Sequence, residues 1–365
     1  MIFEIKLDKQ KERMKNDFSL GLPILIKKNN KSYLIYATET IRKDIFNELL
    51  KKTTDKSYLV ITERRARSLN IMVYEKGLAR VSFQEKFNFE LLKNIIDPTH
   101  DLSNPMSGPY MSIRKGSCEI EKFSLQLCKD AKLLPSIIIS KISKNFKSEL
   151  FDKELLEYDI EKLNKSEEKY NNIVKISDAN FLIKNIGEVQ FHVFRCLEKN
   201  EEHYAIEIGS PSRKKTTVVR IHSACFTGDV FGSLKCDCGP QLQASLEYIK
   251  KIKKGIIIYL NQEGRGIGLA NKMRAYTLQN QGYDTVVANH RLGFEDEERD
   301  LTVGPKILKV MGFKDIELLT NNPKKINAVK SEGINITRHL SLRTKPNEQN
   351  IDYLMTKAKK SGHFL

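Results

Sequence analysis

Three cysteines lie close together in the second half of this 365-residue chain, at positions 225, 236 and 238. Ten residues separate Cys225 from Cys236, and one residue separates Cys236 from Cys238. Thiolates are good zinc ligands, and three protein ligands with an open fourth position are typical of a catalytic zinc that activates water. His222, three residues before Cys225, could instead be a fourth ligand and close a structural site. The spacing predicts a metal site and leaves its catalytic or structural nature open.

A glycine-rich segment, NQEGRGIGLANK at 261–272, follows an apolar run and precedes a helical pattern. Its glycines, at 264, 266 and 268, do not have the spacing of the dinucleotide-binding fingerprint. Small residues let backbone N–H groups approach a phosphate, and Arg265 adds a planar set of donors. We interpret the segment as an anion site, with a plain strand-to-helix turn as the alternative.

Two later segments have charged or polar side chains at junctions between elements. EDEERD at 295–300 surrounds Arg299 with acids, a composition that by itself is typical of a solvated loop. TNNPKK at 320–325 places a hydroxyl, two amides and two lysines where a strand meets a helix, which suits an anion. Several anion-binding junctions beside one thiolate metal site predict a hydrolase that acts on a phosphorylated molecule.

The elements that position these residues alternate between strand and helix from about residue 240. Apolar residues at helical spacing predict helices at 241–254, 269–281, 306–311 and 323–331. Short apolar runs predict strands at 255–260, 285–288, 316–319 and 334–337. Pro323 fits the first turn of the last helix, with Asn321 or Asn322 as its cap. This alternation indicates an α/β sheet with helices packed on it.

The first half of the chain has a different pattern, and length alone favours two or three domains. Strand-like runs at 22–26, 33–36, 58–61 and 137–139 are separated by helical stretches such as 42–52. The charged residues 149–175 are interpreted as exposed helix and connector. We predict an α/β (α+β) fold with two domains, at 1–178 and 179–365, each a mixed sheet packed with helices.

Composition excludes several classes of protein. With 40% hydrophobic and 30% charged residues, the chain has the usage of a globular protein rather than a disordered one. Its apolar runs are far shorter than the roughly 20 residues of a membrane span, and the N-terminal residues lack the apolar core of a secretory signal. We expect a cytoplasmic protein with no membrane contact.

The net charge of +16 raises the possibility of nucleic-acid binding. Charges of both signs are interleaved along the chain, and no basic stripe rich in aromatic residues is present. We therefore predict a solvated surface that attracts anionic small molecules rather than nucleic acid. Cys118, Cys128 and Cys196 are isolated in apolar surroundings, which predicts small buried side chains, and no disulfides are expected in a reducing compartment.

Four segments together resemble GTP cyclohydrolase II: RIHSACFTGDVFGSLKCDCGPQL, YLNQEGRGIGLANKMRAYTLQNQGYDT, ANHRLGF and LLTNNPKK. The resemblance extends over about residues 180–345. It implies a GTP cyclohydrolase II fold in the C-terminal domain, a homodimer, and the first step of riboflavin biosynthesis. In that reaction Zn²⁺, with Mg²⁺ on the GTP phosphates, assists hydrolysis of GTP to 2,5-diamino-6-(ribosylamino)pyrimidinone 5'-phosphate, formate and pyrophosphate.

The resemblance also implies a role for individual residues. Cys225, Cys236 and Cys238 match the zinc ligands, which favours an open catalytic site, and Tyr276 matches a tyrosine of the ring-opening step. Arg299 matches a residue assigned as nucleophile toward the α-phosphate, with Glu297 as the neighbouring proton acceptor. Because a protonated guanidinium is a poor nucleophile, charge stabilisation by Arg299 is the second reading. The positions that match GTP-binding residues are Arg220, Ile221, His222, Ser223, Ala224, Gln241, Glu263, Gly264, Arg265, Thr285, Thr320 and Lys325.

Two residues depart from the family pattern. Glu297 stands where the family usually has Asp, and Ala224 stands where it often has Glu. Either change could lower activity or shift the substrate. An alternative function is therefore a non-catalytic or altered-substrate nucleotide-binding homologue that acts as a regulatory or scaffold component.

The N-terminal half is more distantly similar to 3,4-dihydroxy-2-butanone 4-phosphate synthase. The similarity is carried by GLPILI, YLIYATE, LVITERRARSLNI and LCKDAKLLPSIIISKIS. In place of that family's acid-rich loop the chain has KKNNKS at 27–32, and in place of its Gly-His-Thr-Glu motif it has Gly116, Ser117, Cys118 and Glu119. Loss of the carboxylates and the histidine removes the metal ligands and the base. We predict an inactive domain retained as a scaffold or dimerisation unit, with an unrelated α/β domain as the alternative.

Overall fold

The structure is a computed structural model that describes residues 7–53, 57–83, 87–105, 108–114, 116–151, 155–164 and 172–342. The predicted C-terminal domain thus extends, at 343–365, outside the described residues. Packing divides the chain into two units. The first comprises Met1–Glu167 with Ala270–Asp296, and the second comprises Glu168–Leu269 with Glu297–Leu365. A segment from the middle of the second half therefore packs with the N-terminal half, whereas the predicted boundary at 178 remains a prediction.

Helices and strands alternate along most of the described chain. The helices are α1 Leu7–Ser19, α2 Lys43–Thr53, α3 Glu63–Ser68, α4 Phe89–Ile96, α5 Glu119–Asp130, α6 Lys144–Phe151, α7 Ile160–Asn164, α8 Phe226–Asp229, α9 Cys238–Ile252, α10 Leu269–Asn280, α11 Thr285–Arg291, α12 Val303–Val310 and α13 Pro323–Ser331. The strands are β1 Ile24–Lys28, β2 Lys31–Ala37, β3 Ser57–Thr62, β4 Leu78–Ser82, β5 Ser136–Ile142, β6 Glu157–Asp159, β7 Ile173–Ile183, β8 Gly187–Cys196, β9 Glu201–Ile208, β10 Thr217–Ser223, β11 Gly255–Leu260, β12 Asp315–Leu319 and β13 Asn335–Leu340.

The first unit contains a six-stranded sheet in the order β4-β3-β5-β2-β1-β6. Neighbouring strands are antiparallel except β1 and β6, which are parallel. Helices α1 and α5 cover one face, where Phe18, Ile35, Val60 and Ile139 form part of a buried apolar core.

The second unit contains a seven-stranded sheet in the order β13-β12-β10-β11-β9-β8-β7. Strands β10 to β13 are parallel, and β7 to β9 join them antiparallel. Alternate residues of β11 enter different cores: Ile256 and Ile258 pack with α12, while Ile257 packs with α9. Because β12, β10 and β11 are adjacent and parallel, their carboxyl ends meet at one edge of the sheet.

These features confirm the predicted fold class of two mixed sheets, each packed with helices. Strand 255–260 and helix 323–331 have the predicted bounds, and the Asn322 side chain caps that helix by accepting a hydrogen bond from the Lys324 N–H. The sequence patterns predicted no strand between residues 173 and 223, where the structure has four.

The strand predicted at 285–288 is wrong, because these residues begin helix α11. The Asp284 side chain accepts hydrogen bonds from the backbone N–H groups of Val286 and Val287. Such an N-terminal cap outweighs the strand preference of two adjacent β-branched residues.

Helices α10 and α11 are held in the first unit by ion pairs. Arg274 pairs with Glu39 at 2.8 Å, and Arg291 pairs with Asp101 at 3.0 Å. Within the described residues, no helix combines the length and apolar character that a membrane span requires.

Candidate metal centre and anion site

The three cysteines predicted to bind metal lie together at the carboxyl edge of the second sheet. Cys225 follows β10, Cys238 is the first residue of α9, and Cys236 precedes it by two residues. The three sulfur atoms lie within 4.8 Å of one another, and Cys225 Sγ and Cys236 Sγ are 3.6 Å apart. Cys225 and Cys236 are buried, whereas Cys238 is half-buried.

This spacing fits a tetrahedral zinc ion. Zinc–sulfur bonds of about 2.3 Å at tetrahedral angles place neighbouring sulfurs about 3.8 Å apart. Contact with the Cys225 thiol raises the pKa of Cys236, and a bound cation would favour the thiolate form of that residue. His222 is not part of this group among the described residues.

Gly228, in the short helix α8, leaves room for the sulfur atoms. A Cβ atom at this position would lie 2.7 Å from Cys236 Sγ and 3.0 Å from Cys225 Sγ. Only glycine therefore fits beside the three cysteines without displacing a sulfur atom.

Asp229 connects the cysteine group to β10 and β11, and our sequence analysis did not identify it. Its carboxylate accepts hydrogen bonds from the Cys225 backbone N–H and the Tyr259 hydroxyl, both at 2.9 Å. It also lies 3.3 Å from His222 Nε2. One buried carboxylate thus positions a predicted metal ligand, a predicted substrate residue and a tyrosine.

His222 is buried, with 3% of its surface exposed, and its ring stacks on Tyr259 with centroids 5.6 Å apart. Burial lowers the pKa of His222 below its usual 6.5, against the opposing effect of Asp229. Among the described residues, its Nδ1 atom has no hydrogen-bond partner. The imidazole is therefore neutral near pH 7 and retains one unused nitrogen.

Arg220 is a buried cation on β10. Its Nη1 donates to the Leu319 carbonyl oxygen at 3.1 Å, and its Nη2 donates to Gln241 Oε1 at 2.8 Å. Gln241 in turn donates to Asp237. Burial lowers the pKa of Arg220 to about 10, which leaves the guanidinium charged at neutral pH. Its Nε has no partner within the described part of the chain.

Lys325 places a second buried cation beside Arg220. It lies in α13, and its Nζ donates a 2.8 Å hydrogen bond to the Ile221 carbonyl oxygen. Burial, reinforced by the charges of Arg299 and Arg220, holds the pKa of Lys325 well below 10.5. A polyanion would relieve this crowding of positive charge.

Glu297 and Arg299 form an ion pair close to that cluster. Arg299 Nε and Nη2 each donate to a different Glu297 carboxylate oxygen at 2.5 Å. Burial opposes ionisation of Glu297, but the bonds from Arg299 and the charge of Arg265 hold its pKa below 4.5. Both side chains are therefore ionised at neutral pH.

The glycine-rich segment forms a short 3-10 turn, Glu263–Gly266, after β11. Gly264 and Arg265 have φ values of 63° and 59°, in the left-handed region. The Arg265 carbonyl accepts a hydrogen bond from the Glu298 N–H at 3.1 Å, and Glu263 Oε2 accepts one from the Phe226 N–H at 2.5 Å. These two hydrogen bonds connect the turn to the loop that carries Arg299 and to the segment that carries Cys225.

Thr320 follows β12 at the same edge and is buried. Its hydroxyl accepts a hydrogen bond from the Asn322 N–H at 3.1 Å, at the start of α13. Most of the predicted site residues therefore lie in the second unit. They are on β10, α9 and α13 and in the loops after β11 and β12.

Two residues that were predicted to act on or bind GTP lie in the first unit instead. Tyr276 lies in α10, where Lys272 Nζ is 5.8 Å from the centre of its ring. Thr285 begins α11, and its hydroxyl accepts a hydrogen bond from Gln279 at 3.3 Å.

The fold and site define an α/β protein with a three-thiol group that can hold a metal ion, beside a cluster of buried cations. The family model for GTP cyclohydrolase II matches residues 174–341. GTP cyclohydrolase-2 of Hamiltonella defensa subsp. Acyrthosiphon pisum (strain 5AT) is 49% identical over 194 residues, which are 53% of this chain and 98% of that protein. The chain belongs to the GTP cyclohydrolase II family.

The chain is also similar to longer proteins. The riboflavin biosynthesis protein RibBA of Endomicrobium trichonymphae is 45% identical over 179 residues, which are 49% of this chain and 44% of that protein. Among solved structures, RibBX, a two-domain 3,4-dihydroxy-2-butanone 4-phosphate synthase from A. baumannii, aligns with 92% of this chain and 99% of its own, with a TM-score of 0.33 and 15% identity.

Proposed function

We propose that this chain is a zinc-dependent GTP cyclohydrolase II that converts GTP to 2,5-diamino-6-(ribosylamino)pyrimidinone 5'-phosphate, formate and pyrophosphate. The observation that carries the proposal is the position of the three cysteine sulfurs beside buried cations at one sheet edge. Such a site can bind a metal ion and a polyphosphate next to each other.

In this proposal, Cys225, Cys236 and Cys238 would hold zinc through their sulfur atoms. Zinc, when bound, supplies the Lewis acidity that makes water a nucleophile near neutral pH. Asp229 fixes the Cys225 backbone and the Tyr259 hydroxyl through its hydrogen bonds. The residues around the metal are thereby ordered before substrate binds.

Arg220 and Lys325 bind the anionic part of GTP, with Mg²⁺ on its phosphates. Both cations are buried and have incomplete compensation by carboxylates, so a triphosphate gains strong interactions there. The other proposed GTP-binding residues are Ile221, His222, Ser223, Ala224, Gln241, Glu263, Gly264, Arg265, Thr285 and Thr320.

Arg299 stabilises negative charge on the transferring phosphoryl group. The two-point ion pair with Glu297 favours the protonated guanidinium, which is a poor nucleophile but a good partner for phosphate oxygens. Glu297 is ionised and can accept a proton, and Tyr276 is proposed to act in ring opening.

Formate release from GTP by the zinc-loaded protein tests the proposal, together with measurement of bound zinc. The wild type should release formate, and Cys236→Ser should lose both zinc and formate release. Cys118→Ser is the matched control, because Cys118 is half-buried outside the metal group and should keep both. A zinc-loaded wild type that binds GTP without forming product would exclude catalysis and favour the non-catalytic homologue.

We propose no synthase activity for the N-terminal half, which would serve as a scaffold or contribute to a homodimer. The turn between β1 and β2 carries lysines and asparagines, which do not suit a divalent cation. Conversion of ribulose 5-phosphate by the full chain would contradict this, and the mass of the protein in solution tests the homodimer.

A further inference from the structure

Residues 270–296 lie in the chain between two parts of the second unit, yet they pack with residues 1–167 of the N-terminal half. They include most of α10, all of α11 and the residues that follow α11. This α10–α11 segment carries Tyr276 and Thr285, and the proposed function assigns both residues to the GTP reaction. The contacts that hold the segment therefore bear on the position of two site residues.

Helix α10 contacts the N-terminal half through polar side chains. Asn271 is fully buried, and its Nδ2 donates a 2.8 Å hydrogen bond to the Lys132 carbonyl oxygen. Arg274 pairs with two carboxylates, those of Glu39 at 2.8 Å and Asp97 at 3.3 Å. Because hydrogen bonds and charged pairs depend on direction and distance, these contacts favour one position of the helix.

The residues at the ends of α10 and α11 contact the segment that follows α4. Gln281, directly after α10, donates from Nε2 to the Thr99 carbonyl oxygen at 3.0 Å. Arg291, the last residue of α11, donates from Nη1 to Asp101 Oδ2 at 3.0 Å. Asp101 also accepts hydrogen bonds from Arg65 at 2.6 and 2.8 Å, which hold its carboxylate in place. Both helices of the segment are thus attached to the N-terminal half.

After α11, the backbone approaches the N-terminal half so closely that there is no room for a side chain. Gly293 has a φ of 90°, and a Cβ atom on it would lie 2.7 Å from Thr62 Oγ1 and 2.9 Å from Pro135 Cγ. The next residue, Phe294, is fully buried. Packing of this density leaves the segment little freedom to shift without losing its contacts.

We propose that the N-terminal half has a positioning function in GTP turnover, because it holds the α10–α11 segment and with it Tyr276 and Thr285. The inference rests on the proposed function, in which these two residues act. It assigns a function to a domain for which we predict no synthase activity. A displacement of about 1 Å can lower a rate about a hundredfold, so a small disturbance of the contact should change kcat.

Gly293→Ala tests the proposal, since the added methyl group would push the segment away from Thr62 and Pro135. We expect kcat for formate release to fall by about tenfold or more, with unchanged zinc content. Gly282→Ala is the matched control, because Gly282 has a φ of 95° and a Cβ atom there meets nothing within 4 Å. Both variants place alanine in the left-handed region, so a difference between them reports the contact rather than backbone strain.

A substitution in the N-terminal half should reverse the effect. Pro135→Ala removes ring atoms that the new methyl group would meet, so its combination with Gly293→Ala should regain kcat relative to Gly293→Ala alone. Glu39→Gln tests the contact without a clash, because it weakens the pair with Arg274 and should lower kcat severalfold. Glu48→Gln, which changes an exposed carboxylate of α2, is its control and should leave kcat unchanged.

Hydrogen exchange of backbone amides measures the stability of the segment directly. In Gly293→Ala and Glu39→Gln, the amides of α10 and α11 should exchange faster than in the wild type, while those of β10 and β11 keep their rates. Unchanged kcat in both variants overturns the proposal, as do equal losses in Gly293→Ala and Gly282→Ala. A wild type that releases no formate contradicts the proposed function and, with it, a role in turnover. Exchange then decides by itself whether the N-terminal half holds the segment.

Discussion

Gly228 lies so close to Cys236 that a Cβ atom on the glycine would be 2.7 Å from the cysteine sulfur. We predict that Gly228→Ala displaces a metal ligand and weakens zinc binding by at least about tenfold, since ligand geometry controls affinity. Bound zinc after dialysis against a graded chelator measures this effect.

Gly232→Ala is the matched control in the same segment. Gly232 has a φ of 64°, but a Cβ there meets nothing within 4 Å. Alanine in this conformation should cost about 1–2 kcal/mol of folding stability and leave the zinc content unchanged. Equal zinc loss in both variants would show that backbone strain, rather than contact with the sulfurs, is responsible.

Asp229 is predicted to stabilise the site through charge-assisted hydrogen bonds. Asp229→Asn keeps the size of the side chain but weakens its bonds to Cys225 and Tyr259, and should cost about 2–3 kcal/mol in the free energy of unfolding. Tyr259→Phe removes only one of these bonds and should cost about 1 kcal/mol. Denaturant unfolding measures both, and equal effects would contradict a central role for the carboxylate.

Lys325 should contribute to substrate binding at the expense of stability. Burial and the neighbouring positive charges hold its folded pKa well below 10.5, so protonation favours the unfolded chain and this group opposes folding at pH values below 10.5. We therefore expect Lys325→Met to unfold no more easily than the wild type, within about 1 kcal/mol, while its KM for GTP rises by about tenfold or more.

The neighbouring Lys324→Met is its control. Lys324 is exposed, so its replacement should change neither stability nor the KM for GTP. A large loss of stability in Lys325→Met, with an unchanged KM, would instead assign Lys325 a purely structural role.

Glu207, on β9, makes the free energy of unfolding depend on pH, and this effect does not involve the cysteines. Burial raises its pKa, but hydrogen bonds from His192 and Arg213 outweigh this and lower it from 4.5 to about 2. A carboxylate with a depressed folded pKa contributes stability that is fully present above its unfolded pKa. That contribution is lost as the pH falls from 4.5 toward 2.

Glu207→Gln should therefore unfold more easily at pH 7 and show a flatter decline of stability in acid. Unfolding free energies measured between pH 7 and pH 2.5 compare the two proteins. Parallel curves for the variant and the wild type would remove Glu207 as the source of the acid sensitivity.

Local sequence patterns were sufficient to predict several helices and strands and the grouping of the three cysteines. The apolar run at 255–260 is a buried parallel strand, and Asn322 before Pro323 caps a helix, because both depend on neighbours in the chain. The three cysteines are likewise close in sequence, so short elements bring their sulfurs together.

Contacts between distant residues could not be predicted in this way. Asp229 is not part of any motif that the sequence shows, since its role depends on Tyr259, thirty residues away on β11. The pair Val286 and Val287 suggested a strand, but the Asp284 cap and packing in the first unit favour a helix.

The sequence by itself determined the identity and spacing of the cysteines, the alternation of strands and helices, and the cationic residues at strand ends. Only the tertiary structure decided that Arg220 and Lys325 are buried together and that Ala270–Asp296 packs with the N-terminal half. The physical reason is that hydrogen-bonding propensity and apolar periodicity act over a few residues, whereas burial and charge coupling depend on which surfaces the folded chain brings into contact.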